Sequence, residues 1–303
     1  MKVKDGIVGL LIGDALGVPV EFKRREYFNE NPVTGMMGGG IHNQPPGTWS
    51  DDTSLTLATM ASIVNKQAID YSDIMEEFRN WLEHDKYCQR KNFDVGNTTV
   101  NAIFEYIDGK PALDCGGKGE RSNGNGSLMR ILPLAFIPDI DYETVENVSA
   151  LTHAHKRSKI ACALYIEIAR SMIENEDLAI EKHIESANRK IIEHYDGSTE
   201  LEHFERIFNN ELDNVDTIRS GGYVLDSLES TIYCLKNTDN YKDAVLKAVN
   251  LGRDTDTTAA ICGGLAGIYY GYDEIPTEWI DTVDKIDKVL ALCEKFEKFC
   301  NEK

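Results

Sequence analysis

Apolar residues recur at helical spacing along almost the whole chain. Between Tyr71 and Tyr87 they fall at Ile74, Phe78, Trp81 and Leu82. That spacing puts them on one face of a helix. The same period runs from Lys156 to Ile173, with Ile160, Ala161, Leu164, Ile168 and Ala169 on one side. Val100 to Ile107 and Leu128 to Phe136 predict two more helices. Leu55, Leu57, Ala58, Ala61 and Val64 predict another, and residues 177–195, 222–236, 240–250, 256–271 and 283–299 complete the set. No segment alternates apolar and polar residues between hairpin turns, as strands do. The expectation is an all-α fold, a compact multi-helix domain spanning residues 1–303.

Three stretches break the pattern. At the N-terminus, Lys2 and Lys4 precede an apolar run from Gly6 to Gly13 that stops at Asp14. It is far short of the ~20 residues that span a bilayer. It also lacks a small-residue cleavage site, so it is expected to be a buried first helix and not a signal peptide. Gly6, Gly9, Gly13 and Gly17 would let another backbone approach it closely. After it, residues 17–22 read as a turn and an extended piece. Residues 23–49 hold Asn31-Pro32, Gly38-Gly39-Gly40 and Pro45-Pro46-Gly47, a long loop. Loops of that length are functional or disordered, and this one leads straight into an acidic stretch, which favours function. Residues 196–220 have the weakest period and are expected to form a surface excursion.

Two acidic stretches carry the chemistry. They are Thr48-Trp49-Ser50-Asp51-Asp52-Thr53 and Gly252-Arg253-Asp254-Thr255-Asp256-Thr257-Thr258, each running into a small-residue apolar helix. Ser, Thr and Asp are common at helix starts because they accept free backbone N–H groups and suit the positive end of the dipole. Either stretch alone reads as a cap. A cap needs one acceptor, however, and here four carboxylates stand in two matched clusters. Brought together, they would form a hard-oxygen cage suited to Mg2+ or Mn2+ and not to zinc. An EF-hand is excluded: counting from Asp254, Ala259 stands where the loop needs Gly and Leu265 where it needs Glu.

Weaker signals lie between them. Arg121 to Arg130 is a polar, glycine-rich loop that could present backbone N–H groups to a phosphate, but it is not a Walker A sequence. Asp94, within Asn92 to Thr99, is either a cap or a ligand-binding carboxylate. In Thr152-His153-Ala154-His155 the two imidazoles do not share a helix face, which leaves one as a substrate partner or a structural histidine. Glu21 has no cap role and is a candidate general base.

Composition narrows the classes. The chain is 42% hydrophobic and 27% charged, as ordinary globular proteins are. A net charge of −19 argues against a nucleic-acid surface and suggests a negatively charged site mouth. Seven cysteines with no CxxC pair point to a reducing cytoplasm. Cys162, Cys234, Cys262 and Cys293 fall on apolar faces, where a small buried hydrophobe is expected. No Ser–His–Asp or Cys–His arrangement stands out.

The motif set resembles the ADP-ribosylglycohydrolases, which include the bacterial dinitrogenase reductase-activating glycohydrolases. The resemblance rests on Gly13-Asp14-Ala15-Leu16-Gly17 with Glu21, on Trp49-Ser50-Asp51-Asp52-Thr53, on Gly124-Asn125-Gly126-Ser127-Leu128-Met129-Arg130, on Thr152-His153, and on Gly252-Arg253-Asp254-Thr255-Asp256-Thr257. They occur in the family's order. The resemblance implies two divalent cations, Mg2+ or Mn2+, held by Ser50, Asp51, Asp52, Asp254, Asp256 and Thr257. Ser50 stands where the family more often has Thr. Glu21 and Asp94 would be catalytic, and Gly96, Asn125, Gly126, Ser127 and His153 would contact ADP-ribose. The implied reaction is hydrolysis of the N-glycosidic bond between ADP-ribose and an arginine side chain of a protein. Alternatives are another ADP-ribosyl linkage (serine, a nucleic-acid base or a small molecule), a two-metal phosphohydrolase, or a non-catalytic ADP-ribose-binding protein. The expected partner is an ADP-ribosylated protein, with no nucleic-acid or membrane surface, and the expected form is a cytoplasmic monomer.

Overall fold

The computed structural model describes residues 2–303, and the regular structure among them is helical. Fourteen α-helices run through the described residues, the long amphipathic ones along the predicted apolar spacing. They are α1 Val3–Gly17, α2 Arg25–Glu30, α3 Asp51–Lys66, α4 Tyr71–His84, α5 Asn97–Ile107, α6 Tyr142–Ala150, α7 Lys156–Glu174, α8 Ile180–His194, α9 Glu205–Phe208, α10 Val224–Lys236, α11 Tyr241–Asn250, α12 Thr255–Tyr270, α13 Thr277–Ile280 and α14 Ile286–Asn301. Among the described residues, backbone pairing of the β type is limited to isolated bridges such as Gly39 with Gln44.

α1 and α12 form the centre of the molecule, and both are buried on nearly every side. Their contact is backbone on backbone. A Cβ at Gly9 would clash with the Gly263 carbonyl oxygen, one at Gly13 with the Ala259 carbonyl oxygen, and one at Gly17 with the Asp256 backbone. Glycine alone permits this approach. Tyr241 donates to the Gly9 carbonyl at 2.7 Å and Thr255 to the Gly17 carbonyl at 2.8 Å, so polar groups left by the close packing are paired. The remaining long helices pack their apolar faces around this pair in one continuous core. Cys162, Cys234, Cys262 and Cys293 lie in it as free thiols. No helix among the described residues is long and apolar enough to cross a membrane.

Two local expectations are corrected. Leu128 to Phe136 is two short 3-10 turns, Leu128–Arg130 and Leu132–Phe136, and not an α-helix. Pro133 lacks the N–H that an interior α-helical position would donate. The turn expected after α1 is present as a 3-10 turn, Val18–Val20, and Glu21 follows it extended. The loop after residue 23 contains α2, anchored by buried Phe28. Residues 196–220 run mostly exposed, as expected, and are tied to the core by Phe204, Ile207, Leu212 and Ile218.

Candidate active site

α1, α3 and α12 bring the two acidic stretches to one place. Asp14 sits inside the apolar α1, fully buried. Its carboxylate accepts from Ser50 N at 2.9 Å, from Thr53 N at 3.1 Å and from Thr53 Oγ1 at 2.6 Å. α1 thereby caps the start of α3 with a carboxylate, which also suits the dipole. Ser50 is the N-cap of α3, as a bland reading of its sequence would have it, and its hydroxyl donates to Asp52 Oδ2 at 2.8 Å. Thr257 Oγ1, from the first turn of α12, reaches the same oxygen at 3.4 Å. The capping chemistry and the acidic cluster are built from the same residues.

One oxygen each from Asp14, Asp52 and Asp256 lies within 4.8 Å of the others, and so do oxygens of Glu21, Asp254 and Asp256. Asp256 belongs to both groups. Asp52 Oδ1 and both carboxylate oxygens of Asp256 are buried with no hydrogen-bond partner. Buried acceptors without donors are costly. A hard divalent cation supplies the missing coordination, so the residues present fit one. Electrostatics agree. Burial, then the neighbouring acids, pushes Asp51, Asp52 and Asp256 well above the ordinary carboxylate range. Burial raises Asp14 to about 6 against the pull of its donors Thr53 and Ser50. Glu21 is pushed up to about 9 by burial, then by Asp94, Asp254 and Asp14. So many carboxylates cannot ionise together without a compensating cation.

Above this floor opens a cleft of about 660 Å3. Of the residues expected at the site, Glu21, Asp51, Asp94, Gly96, Asn125, Gly126, His153, Asp254 and Thr257 line it. Asn125 Nδ2 donates to Asp254 Oδ2 and to Ser227 Oγ, both at 2.8 Å. A Cβ at Gly126 would come within 2.8 Å of His153 Cε1, so the loop passes directly over that ring. Ser127 is different. Its side chain is fully buried, accepts from Ser149 Oγ at 3.0 Å and stands off the cleft wall. His153 is held neutral, its pKa lowered to about 3 by burial and then by Arg130. Arg130 donates to Thr152 Oγ1 at 2.9 Å, and that hydroxyl lies 2.8 Å from His153 Nδ1. With the hydroxyl proton given to Nδ1, the imidazole carries its own proton on Nε2, beside Gly124 of the cleft wall.

Sequence reasoning gave no role to two residues here. Asp14 had a readable signal, a lone acid inside an apolar helix. His42 had none: it lies in the irregular loop, and its Nε2 shares a 2.6 Å hydrogen bond with Glu21 Oε2 while standing 4.0 Å from Asp94 Oδ1. Its ring also packs 4.9 Å from Phe93. Phe22, Asp94 and Arg253 on the cleft wall all have positive φ, at 65°, 52° and 65°. Left-handed backbone at non-glycine residues is concentrated where function is. The cleft lining is acidic on balance, with Glu21, Asp51, Asp94 and Asp254 against Arg121 and Arg253.

Fold and site define a class, an all-helical protein with a polar cleft over a buried carboxylate floor that fits divalent cations. Residues 1–303 match the ADP-ribosylglycohydrolase family over their whole length, and the chain belongs to that family. It is 32% identical over 301 residues to "ADP-ribosylarginine hydrolase Tri1" of Serratia proteamaculans, covering 97% of this chain and 78% of that one. It is also 32% identical over 300 residues to "ADP-ribosyl-[dinitrogen reductase] glycohydrolase" of Rhodospirillum rubrum, covering 94% of each. A solved "ADP-ribosylglycohydrolase-related protein complex" superposes with a TM-score of 0.82 at 25% identity, covering 99% of this chain and 98% of that one.

Proposed function

We propose that this protein removes ADP-ribose from arginine side chains of proteins by divalent-cation-dependent hydrolysis. The observation that carries the reading is the set of unpartnered carboxylate oxygens of Asp52 and Asp256 under the cleft. The arginine linkage is supported by the likeness to the ADP-ribosylarginine hydrolase of Serratia proteamaculans and by Asp94 in Phe93-Asp94-Val95-Gly96. Ser50, Asp51, Asp52, Asp254, Asp256 and Thr257 would hold two Mg2+ or Mn2+ ions, with Asp14 bracing them through Ser50 and Thr53. Cations bound there would supply Lewis-acid stabilisation of charge developing at the ribose.

The chain's own groups do the rest. The bond between C1″ of the distal ribose and the guanidine nitrogen breaks, water adds at C1″, and the nitrogen leaves with a proton. Glu21 and Asp94 manage those protons, with His42 fixing the Glu21 carboxyl at 2.6 Å. His153, neutral and protonated on Nε2, donates to a substrate oxygen. Arg121 faces the diphosphate, and Gly126 lets the substrate lie close to the loop.

Product analysis tests this. Arginine-linked and serine-linked ADP-ribosyl peptides compete for limiting enzyme, with and without exhaustive chelation, and mass spectrometry follows the products. Expected are free ADP-ribose and unmodified arginine peptide, activity lost on chelation and restored by Mg2+ or Mn2+. Faster cleavage of the serine peptide overturns the linkage, and full activity after chelation overturns the metal dependence.

A further inference from the structure

The chain carries 51 acidic against 32 basic residues, yet one rim of the cleft reverses that balance. A groove of about 380 Å3 opens off the cleft there and shares Gly221 and Arg253 with it. Arg24, Arg25, Arg219 and Arg253 line it, against the carboxylates of Glu26 and Asp226. Arg25 donates to the carbonyls of Leu251, Val215 and Ile218 at 3.1, 2.7 and 2.7 Å. Its position is fixed, but no carboxylate neutralises it. Arg24, Arg219 and Arg253 are exposed. None of the three makes an ion pair among the described residues.

The rim is also rigid. Phe22 N donates to the Arg253 carbonyl and Arg253 N to the Lys23 carbonyl, both at 2.6 Å. Asp254 N donates to the Ser220 carbonyl at 3.0 Å, and Ser220 Oγ to the Leu251 carbonyl at 3.1 Å. These bonds join three separate segments into one piece that runs directly into Glu21 and Asp254. Arg25 is held by carbonyls alone, and Arg24, Arg219 and Arg253 make no close ion pair, although Asp226 lies within the field of Arg219 and Arg253. Guanidiniums placed so are suited to carboxylates, which they bind bidentately.

We propose that this rim docks acidic residues flanking the modified side chain on the protein substrate. The proposal rests on the hydrolase reading above and names the kind of protein surface that the site accepts. A protein of strongly negative charge repels acidic partners at long range, so a local basic rim beside the cleft selects where such a surface can land. Charges on a rim act on encounter and specificity more than on chemistry. The rival occupant is the substrate's own diphosphate, which every ADP-ribosyl compound carries whatever its flanks.

The test uses one ADP-ribosylarginine peptide core flanked by Glu, Gln or Lys, together with free ADP-ribosylarginine. Wild type is compared with the double variant Arg24→Glu/Arg219→Glu, and circular dichroism and melting temperature confirm the fold. Arg24→Gln/Arg219→Gln replaces the double variant if charge reversal unfolds the chain. In wild type, kcat/KM on the Glu-flanked peptide is expected to exceed that on the Lys-flanked one roughly tenfold at low salt, and less at high salt. The Glu variant is expected to lose or invert the preference, the Gln variant to lose it, and both to hydrolyse free ADP-ribosylarginine at the wild-type rate. Equal rates on all flanks in wild type overturn the proposal, as does a preference that survives substitution. Equal losses on free ADP-ribosylarginine and on the peptides assign the rim to the diphosphate and overturn it too. If neither free ADP-ribosylarginine nor any arginine-linked peptide is hydrolysed, the linkage reading falls by itself. The same three flanks around an ADP-ribosylserine then decide the rim by the same criteria.

Discussion

Glu21 and His42 show how a side chain acquires a function from its neighbours. Glu21 is buried, surrounded by acids and raised to about 9. Among the described residues its hydrogen-bonding side-chain partner is His42 Nε2, offered by a turn that the Gly39–Gln44 bridge closes. Removing the carboxyl's acid–base capacity in Glu21→Gln is expected to lower kcat about a hundredfold or more. His42→Ala acts one step away. It frees the Glu21 carboxyl to rotate and is expected to cost roughly tenfold or more in kcat with KM little changed. His42→Gln keeps a donor near the same place and recovers part of the loss. Steady-state kinetics on an arginine-linked substrate decide it, and wild-type kcat in His42→Ala would rule out the positioning role.

At the scale of elements, the site exists because α1 and α12 touch backbone to backbone. Asp14 and Asp256 can share a cluster only while Gly13 and Gly17 admit α12 so closely. Gly13→Ala puts a methyl group against the Ala259 carbonyl oxygen and forces the helices apart. Overpacking of that kind costs about 1–3 kcal/mol or more. In a chain of this size that is a drop of roughly 2–4 °C in melting temperature per kcal/mol. Cation affinity should fall with it, because the starts of α3 and α12 are displaced. Gly119→Ala is the control, since a Cβ there meets nothing within 4 Å. Calorimetry with and without Mg2+ reads both effects. A Gly13→Ala protein that melts and binds like wild type would show that the contact is slack.

For the whole molecule, the acidic floor couples stability to pH and to cations. Without a cation, Glu21 holds its proton to about 9 in the fold, whereas its ordinary value is 4.5. Between those values unfolding releases a proton, so stability falls as pH rises through the window. Asp14 acts in the same sense between 3.8 and about 6. His153 opposes them in acid. Its folded value near 3 against an ordinary 6.5 means that stability is lost as pH drops below 6.5. Above pH 7 the histidine is neutral in both states and the carboxylates govern. The cation-free melting temperature is therefore expected to decline from pH 7 to 9. Saturating Mg2+ or Mn2+ should raise it, and more at pH 9, because binding then displaces fewer protons. A melting temperature indifferent to both variables would refute the coupled floor.

The sequence by itself determined the helices, because burial of one face writes a period into the chain, and Ile74, Phe78 and Trp81 carry it openly. It also marked the two acidic stretches, because more carboxylates stand at those helix starts than capping requires. It could not place Leu128 to Phe136, where Pro133 interrupts the α-helix that the spacing predicts, or the buried Leu212 and Ile218, which sit on irregular backbone. Only the tertiary structure joined Asp14 to Ser50 and Thr53, brought His42 onto Glu21 and gathered Arg24, Arg219 and Arg253 on one rim. The physical reason is one of range. Periodicity and capping act between residues a few positions apart and leave a trace in their order. Electrostatic and hydrogen-bond partners are chosen by distance in space, and a net charge of −19 does not say where its exceptions lie.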